Sequence, residues 1–381
     1  MKIAPFSIEQ YFMRHEFSAP YLLCTSDCES LTVGELLQLA GHTSAEVLTG
    51  LHLGYTETAG SPALRAAIAA TYRDVDPEHV IVLGAPEEGI YVALRTLLDP
   101  GDEVIVLTPA YDSLRTLAIH ICGAPNVKEW PLVAGATDWV LDLERLAALI
   151  TPRTRLLIVN FPHNPTGYLP SREVWEQLLA LAARHGLTLF SDEMYRGLEL
   201  DPADRLPSLA DAYPQAVVLA GLSKVHGLPG LRSGWLVVAD EALRAAMINW
   251  KMYTTICPPA PSEQLALVAL EAQEALIARS RALIAANLQV AAAFYRRHAA
   301  RFHWRPPRAG SVALAQLRHE SATAHSAAVL RKRGILLLPS PYFSFGDHHL
   351  RMGLGRRNFA DNLHRYDAWL QEPAGSVAEK L

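Results

Sequence analysis

The stretch LAGLSKVHGLPGLRSGWLVV, Leu219 to Val238, decides how this chain is read. An apolar run ends in Ser223 and Lys224, passes Gly227, Pro229 and Gly230, reaches Arg232 and then turns apolar again. A lysine at the mouth of a buried strand is costly unless its charge is used, lost or converted into a covalent bond. The rest of the chain indicates which.

Outward from that stretch, short apolar runs alternate with helical patterns. The runs are VIVLG (80–84), EVIVLTP (103–109), VKEWPLV (127–133), RLLIVNF (155–161), LTLFSDE (187–193), AVVLAGLS (216–223) and SGWLVV (233–238). Between them, EEGIYVALRTLLDPG and EVWEQLLALAARHG carry helical periodicity and end on glycine. Strands rich in Val, Ile and Leu, separated by helices, predict a mostly parallel seven-stranded α/β sheet covered on both faces, with ligands at the C-terminal strand ends. After Trp250 the pattern changes. Residues 262–302 read as one or two long helices, followed by strand candidates at SVALAQL, GILLLPS and LRMGLG and a final helix, NFADNLHRYDAWL. The expected organisation is an N-terminal segment (1–35) packing on a small domain, a large domain (36–275) and a small α+β domain (276–381).

The chain has 381 residues, is 50% hydrophobic and 19% charged, and carries a net charge of −5. It is long enough for a large core and lacks the basic surplus that phosphate-backbone binding requires, so nucleic acid is not an expected partner. Cys24, Cys28, Cys122 and Cys257 make no disulfide framework, and the N-terminal residues show no apolar targeting core or membrane span. A cytoplasmic enzyme is expected.

Three further strand ends carry polar groups. LLIVNFPHNPTG ends in Asn160, Asn164, Pro165 and Gly167; LTLFSDEMYRG ends in Asp192, Glu193 and Tyr195; VIVLTPAYDSL places Tyr111 beyond its strand. Singly, these are a turn, a helix cap and a packed aromatic. Together, NPTG, SDEMY and LSK followed eight residues later by Arg232 resemble the class I and II aminotransferases, fold-type-I enzymes that use pyridoxal 5'-phosphate (PLP), from about Gly54 to Gly355.

The resemblance implies a role for each position. Lys224 would be the lysine linked covalently to PLP and, once freed, the base that moves the substrate Cα proton. Asp192 would pair with the pyridine nitrogen. Tyr195 and Asn164 would bond the ring oxygen, with Asn164 also near substrate, and Tyr111 would stack on the ring. The phosphate would take the strand-to-helix turn at Ala85 and Pro86, with Ser223, Arg232 and a dimer partner's copy of Tyr55, which implies a homodimer with shared sites. Arg351 would fork onto the substrate α-carboxylate. Two positions depart from the pattern: Pro86 replaces a residue with a free N–H, and Gly221 replaces a Ser or Thr, each removing one phosphate donor. The adjacent His348 and His349 lack a third ligand, and no metal is expected.

The expected reaction is transamination of an α-amino acid. VNFPHNPTG, LSKVHGLPGLRSGW and YTTICPPAPSEQLAL also resemble segments of capreomycidine synthase. That keeps elimination and cyclisation of a hydroxylated arginine open as an alternative, together with other β-eliminating lyase chemistry. A basic substrate side chain would want acidic partners, for which Asp27 and Glu29 are candidates.

Overall fold

The computed structural model describes residues 3–372. Its centre is a seven-stranded sheet of β1 (Val80–Leu83), β2 (Glu103–Thr108), β3 (Val127–Pro131), β4 (Thr154–Asn160), β5 (Thr188–Asp192), β6 (Ala216–Gly221) and β7 (Gly234–Val238). The spatial order is β1-β7-β6-β5-β4-β2-β3, and only β7 runs antiparallel to its neighbours. Because successive side chains on a strand point to opposite faces, each apolar run feeds two cores. Val80, Ile105, Leu157 and Val218 pack on one face; Ile81, Val104, Ile158 and Leu219 pack on the other. Double burial explains why these strands read as continuous apolar runs rather than alternating ones.

The long apolar stretch after Trp250 divides into helices Ala260–Glu271 and Gln273–Arg297. The second helix runs across the expected 275/276 boundary, with Leu276 in the core of the large sheet and Ile284 and Phe294 in that of the smaller unit. The smaller unit holds an antiparallel sheet of β8 (Phe302–Trp304), β9 (Val312–Leu317), β10 (Leu338–Pro339) and β11 (His349–Gly353), in the order β8-β9-β11-β10. GILLLPS, expected as one strand, is split: Ile335–Leu336 pairs with Tyr21–Leu22, and Leu338–Pro339 pairs with β11.

That pairing ties the N-terminal segment to the smaller unit. The segment also reaches the large sheet, since the Ser7 N–H and Oγ both donate to Asp112 Oδ2, at 2.7 and 2.8 Å. Where it crosses β11 there is no room for a side chain, because a Cβ on Gly353 would lie 1.8 Å from the Thr25 carbonyl oxygen. The N-terminal residues therefore form a strap over the C-terminal strand ends. No helix among the described residues is long and apolar enough to cross a membrane.

Candidate active site

Four loops leave the C-terminal ends of the parallel strands on one side of the sheet, and their polar residues converge there. Asn160 and Asp192 are register partners at the ends of β4 and β5. The Asn160 side chain fixes both loops, with its Nδ2 donating to the Asp192 carbonyl at 2.8 Å and its Oδ1 accepting from the Asn164 N–H at 2.7 Å. β6 delivers Ser223 and Lys224, and β2 delivers Tyr111. Between these loops and the strap lies a cavity of about 550 Å³, lined by Lys224, Asp192, Asn164, Tyr195, Tyr111, Ser223, Arg232, Pro86 and Arg351. Of the remaining sequence candidates, Ala85 is the N-cap residue of helix Pro86–Leu97, and Tyr55 lies outside this cavity, 90% exposed.

Burial governs the charges. It draws the Lys224 ammonium below its ordinary value; Arg351 adds to this, while Asp27, Glu9 and Asp192 oppose it. Its Nζ donates to Ser26 Oγ at 2.8 Å. Burial pushes the Asp192 carboxyl up to about 6 against the Met194 N–H, which donates to Oδ1 at 3.0 Å, and against the Lys224 charge. A cationic group facing it would hold it ionised. Burial likewise raises the Tyr195 phenol, which donates to the Ser26 carbonyl at 3.3 Å and so stays a proton donor.

Arg351 comes from β11 of the smaller unit and is buried at 1% exposure. Its Nη1 donates to Asn164 Oδ1 at 3.2 Å and its Nε and Nη2 to the Cys24 carbonyl, at 3.2 and 2.7 Å. Phe12 and Phe343 flank its guanidinium at 5.8 and 5.4 Å. A planar cation held this way has fixed orientation and still keeps N–H groups for a carboxylate.

At the opposite end, the Ser223 hydroxyl is buried with no protein partner. Arg232 lies beside it in the left-handed region, at φ 49°. The two departures there prove to be one structural unit. A Cβ on Gly221 would come within 3.1 Å of Pro86 Cγ and 3.0 Å of the Ser233 carbonyl, and a Cβ on Gly234 would come within 2.8 Å of Pro86 Cγ. The proline ring occupies the space a larger residue at 221 would need. An orphaned hydroxyl, an arginine, an uncapped helix N-terminus, a flat tyrosine and a buried carboxylate fit a phosphate-bearing, nitrogen-containing aromatic cofactor.

Sequence reading missed Ser26, Glu9 and Glu87, all of which line the cavity. Glu87 stood beside Pro86 in a motif already singled out, whereas Ser26 and Glu9 reach the site only through the strap. Asp27 and Glu29, offered as acidic partners for substrate, do not line the cavity. Asp27 pairs with Arg356 at 2.7 Å, and Glu29 Oε2 accepts the Arg357 N–H at 2.9 Å, so both fasten the strap to the smaller unit. His348 binds the Glu320 carbonyl, and His349 is buried beside Trp139 and Phe345.

Comparison with known proteins agrees with this construction. Capreomycidine synthase of Streptomyces vinaceus is 31% identical over 377 residues, covering 97% of this chain and 94% of that protein. The arginine–pyruvate transaminase AruH of Pseudomonas aeruginosa is 39% identical over 228 residues, 57% of this chain and 56% of its own length. A PLP-dependent aminotransferase structure from Streptococcus suis superposes with a TM-score of 0.91 at 27% identity, covering 97% and 98% of the two chains. The PLP-dependent cyclase OrfR superposes at 0.87 and 27%, with the same coverage. Residues 23–362 match the family described as aminotransferase class I and II. The chain belongs to that family of enzymes, whose cofactor is pyridoxal 5'-phosphate.

Proposed function

We propose that the protein transaminates an α-amino acid. The observation that carries this reading is the convergence of Lys224, Asp192 and Arg351 on one cavity at the C-terminal strand ends. PLP, when bound, supplies an electron sink for the pair left by breaking the Cα–H bond. The protein's own groups do the rest. Arg351 takes the α-carboxylate and thereby sets which Cα bond faces the base. Lys224, whose ammonium burial draws below its ordinary value, would take the Cα proton and return it on the cofactor side. Asp192 would keep the ring nitrogen protonated, and Tyr195 and Asn164 would hold the ring oxygen. Ser223, Arg232 and the turn at Ala85 and Pro86 would hold the phosphate, and Tyr111 would cover the ring face. The segment containing Tyr55 is tied at Thr56 Oγ1 to the Pro258 carbonyl at 2.7 Å, and Leu53, Tyr55 and Tyr253 are exposed. A homodimer in which Tyr55 completes the neighbouring phosphate site accounts for that exposed apolar surface.

A second reading is favoured by the full-length likeness to capreomycidine synthase and by the cyclase fold match. It uses the same Cα deprotonation, followed by loss of a β-hydroxyl and ring closure. One experiment separates the two: the PLP-loaded protein is titrated with single amino acids, including arginine and β-hydroxyarginine, and products are identified by mass spectrometry. A keto acid together with pyridoxamine phosphate supports transamination. Dehydration with regenerated PLP supports cyclisation, and no change in any substrate refutes both.

A further inference from the structure

Six charged side chains line the cavity: Glu9, Glu87, Asp192, Lys224, Arg232 and Arg351. In the reading above four of them have counterparts. Arg232 meets the phosphate, Arg351 the α-carboxylate and Asp192 the ring nitrogen, while Lys224 acts as an amine. Glu9 and Glu87 have none.

Neither carboxylate forms an ion pair among the described residues, and the protein partners each has are neutral hydroxyls. Tyr111 OH donates to Glu9 Oε1 at 2.8 Å, and Ser113 Oγ donates to Glu87 Oε2 at 3.3 Å. Glu87 comes from helix Pro86–Leu97 beneath the cavity and Glu9 from the strap helix Ser7–His15 at its mouth, so the two acids approach from different parts of the fold. Glu87 is partly buried, and burial pushes its carboxyl up to about 7, with Glu9, Asp192 and Asp112 adding like charge and only Ser113 opposing. A partly buried carboxylate with a second carboxylate near it and no cation beside either is unfavourable until a cation arrives. No basic side chain remains to supply one.

We infer that Glu9 and Glu87 form the seat for a cationic substrate side chain, making the substrate an α-amino acid that ends in a guanidinium or ammonium group. The inference rests on the proposed use of Arg351 for the α-carboxylate. A dicarboxylic amino acid would set a third carboxylate against these two, with no free cation facing it. An apolar side chain would desolvate both acids and return nothing.

The test measures binding apart from turnover. Acids without a primary amine cannot join the cofactor, so 5-guanidinopentanoate, 6-(trimethylammonio)hexanoate, hexanoate and adipate are titrated calorimetrically into the PLP-loaded enzyme. The expected order is a cationic acid first, by ~10-fold or more over hexanoate, with adipate weakest. Whichever cation binds more tightly identifies the side-chain class. Glu9→Gln and Glu87→Gln each reduce the preference for the cationic acid over hexanoate several-fold. Equal affinity for hexanoate and both cationic acids in the parent protein overturns the seat. So does an undiminished preference in both variants. If a cationic acid binds in a Glu9-dependent way while no amino acid is processed, the activity reading fails and the seat stands. If alanine or aspartate is processed and the cationic acids show no advantage, the seat fails and the activity stands.

Discussion

Lys224 and Ser26 lie 198 positions apart in sequence, yet the lysine Nζ donates to the Ser26 hydroxyl at 2.8 Å. The Ser26 carbonyl in turn accepts from Tyr195 OH at 3.3 Å and Ser311 Oγ at 2.6 Å. One residue of the strap thus touches both Lys224 and Tyr195, and it joins them to the smaller unit. Ser26→Ala is expected to leave cofactor loading intact and to lower kcat by ~5–10-fold, the value of one hydrogen bond that orients the freed amine. A change confined to KM would remove the orienting role.

Lys224→Ala is expected to fold, with an unchanged circular dichroism spectrum, and to lose the visible absorption of lysine-bound cofactor together with turnover, by at least ~10³-fold. Near-normal turnover in this variant would refute the assignment of the base.

Arg351→Lys keeps a charge but not the planar fork. Carboxylate capture is expected to weaken by roughly 2–4 kcal/mol, read as a rise in KM with α-amino acid substrates. Because Arg351 also holds the Cys24 carbonyl, thermal stability should fall in parallel. An unchanged concentration dependence would assign the carboxylate site elsewhere.

Pro86 and Gly221 should behave as a coupled pair. Gly221→Ser alone drives a side chain against the Pro86 ring and the Ser233 carbonyl, at a cost of roughly 1–3 kcal/mol. Pro86→Ala with Gly221→Ser relieves part of that cost and adds a hydroxyl near the phosphate site. Stability and PLP affinity of the double variant should therefore exceed those of Gly221→Ser alone, and strict additivity of the two changes would show the residues to be independent.

Glu87 gives a pH signature. Its folded value of about 7 lies above the ordinary 4.5, so the folded chain holds this proton more tightly than the unfolded chain. The resulting stability is fully present below about 4.5 and is lost as pH rises through 7. Glu87→Gln removes that dependence. The two proteins should be equally stable near pH 4, and the variant should gain on its parent by up to about 3 kcal/mol toward pH 8. A gap independent of pH, measured by denaturant titration, would place Glu87 in an ordinary solvated setting.

What the sequence determined by itself is local. Continuous apolar runs between helical patterns required a sheet buried on both faces, and a strand end must place its polar residues at the sheet edge. Asn164, Asp192, Tyr195 and Lys224 could therefore be assigned to one side of a sheet before any coordinates. The split of GILLLPS was not legible, because Leu336 and Leu338 are equally apolar and only their partners, Leu22 and Arg351, distinguish the two pieces. Nor was the choice of acids: Asp27, Glu29, Glu9 and Glu87 are chemically alike, and their roles follow from which arginines and hydroxyls the fold sets beside them. The strap decided that. It crosses Gly353 with no space to spare, and this close contact between residues far apart in the chain brings Ser26 to Lys224, gives Asp27 to Arg356 and leaves Glu9 facing the cavity.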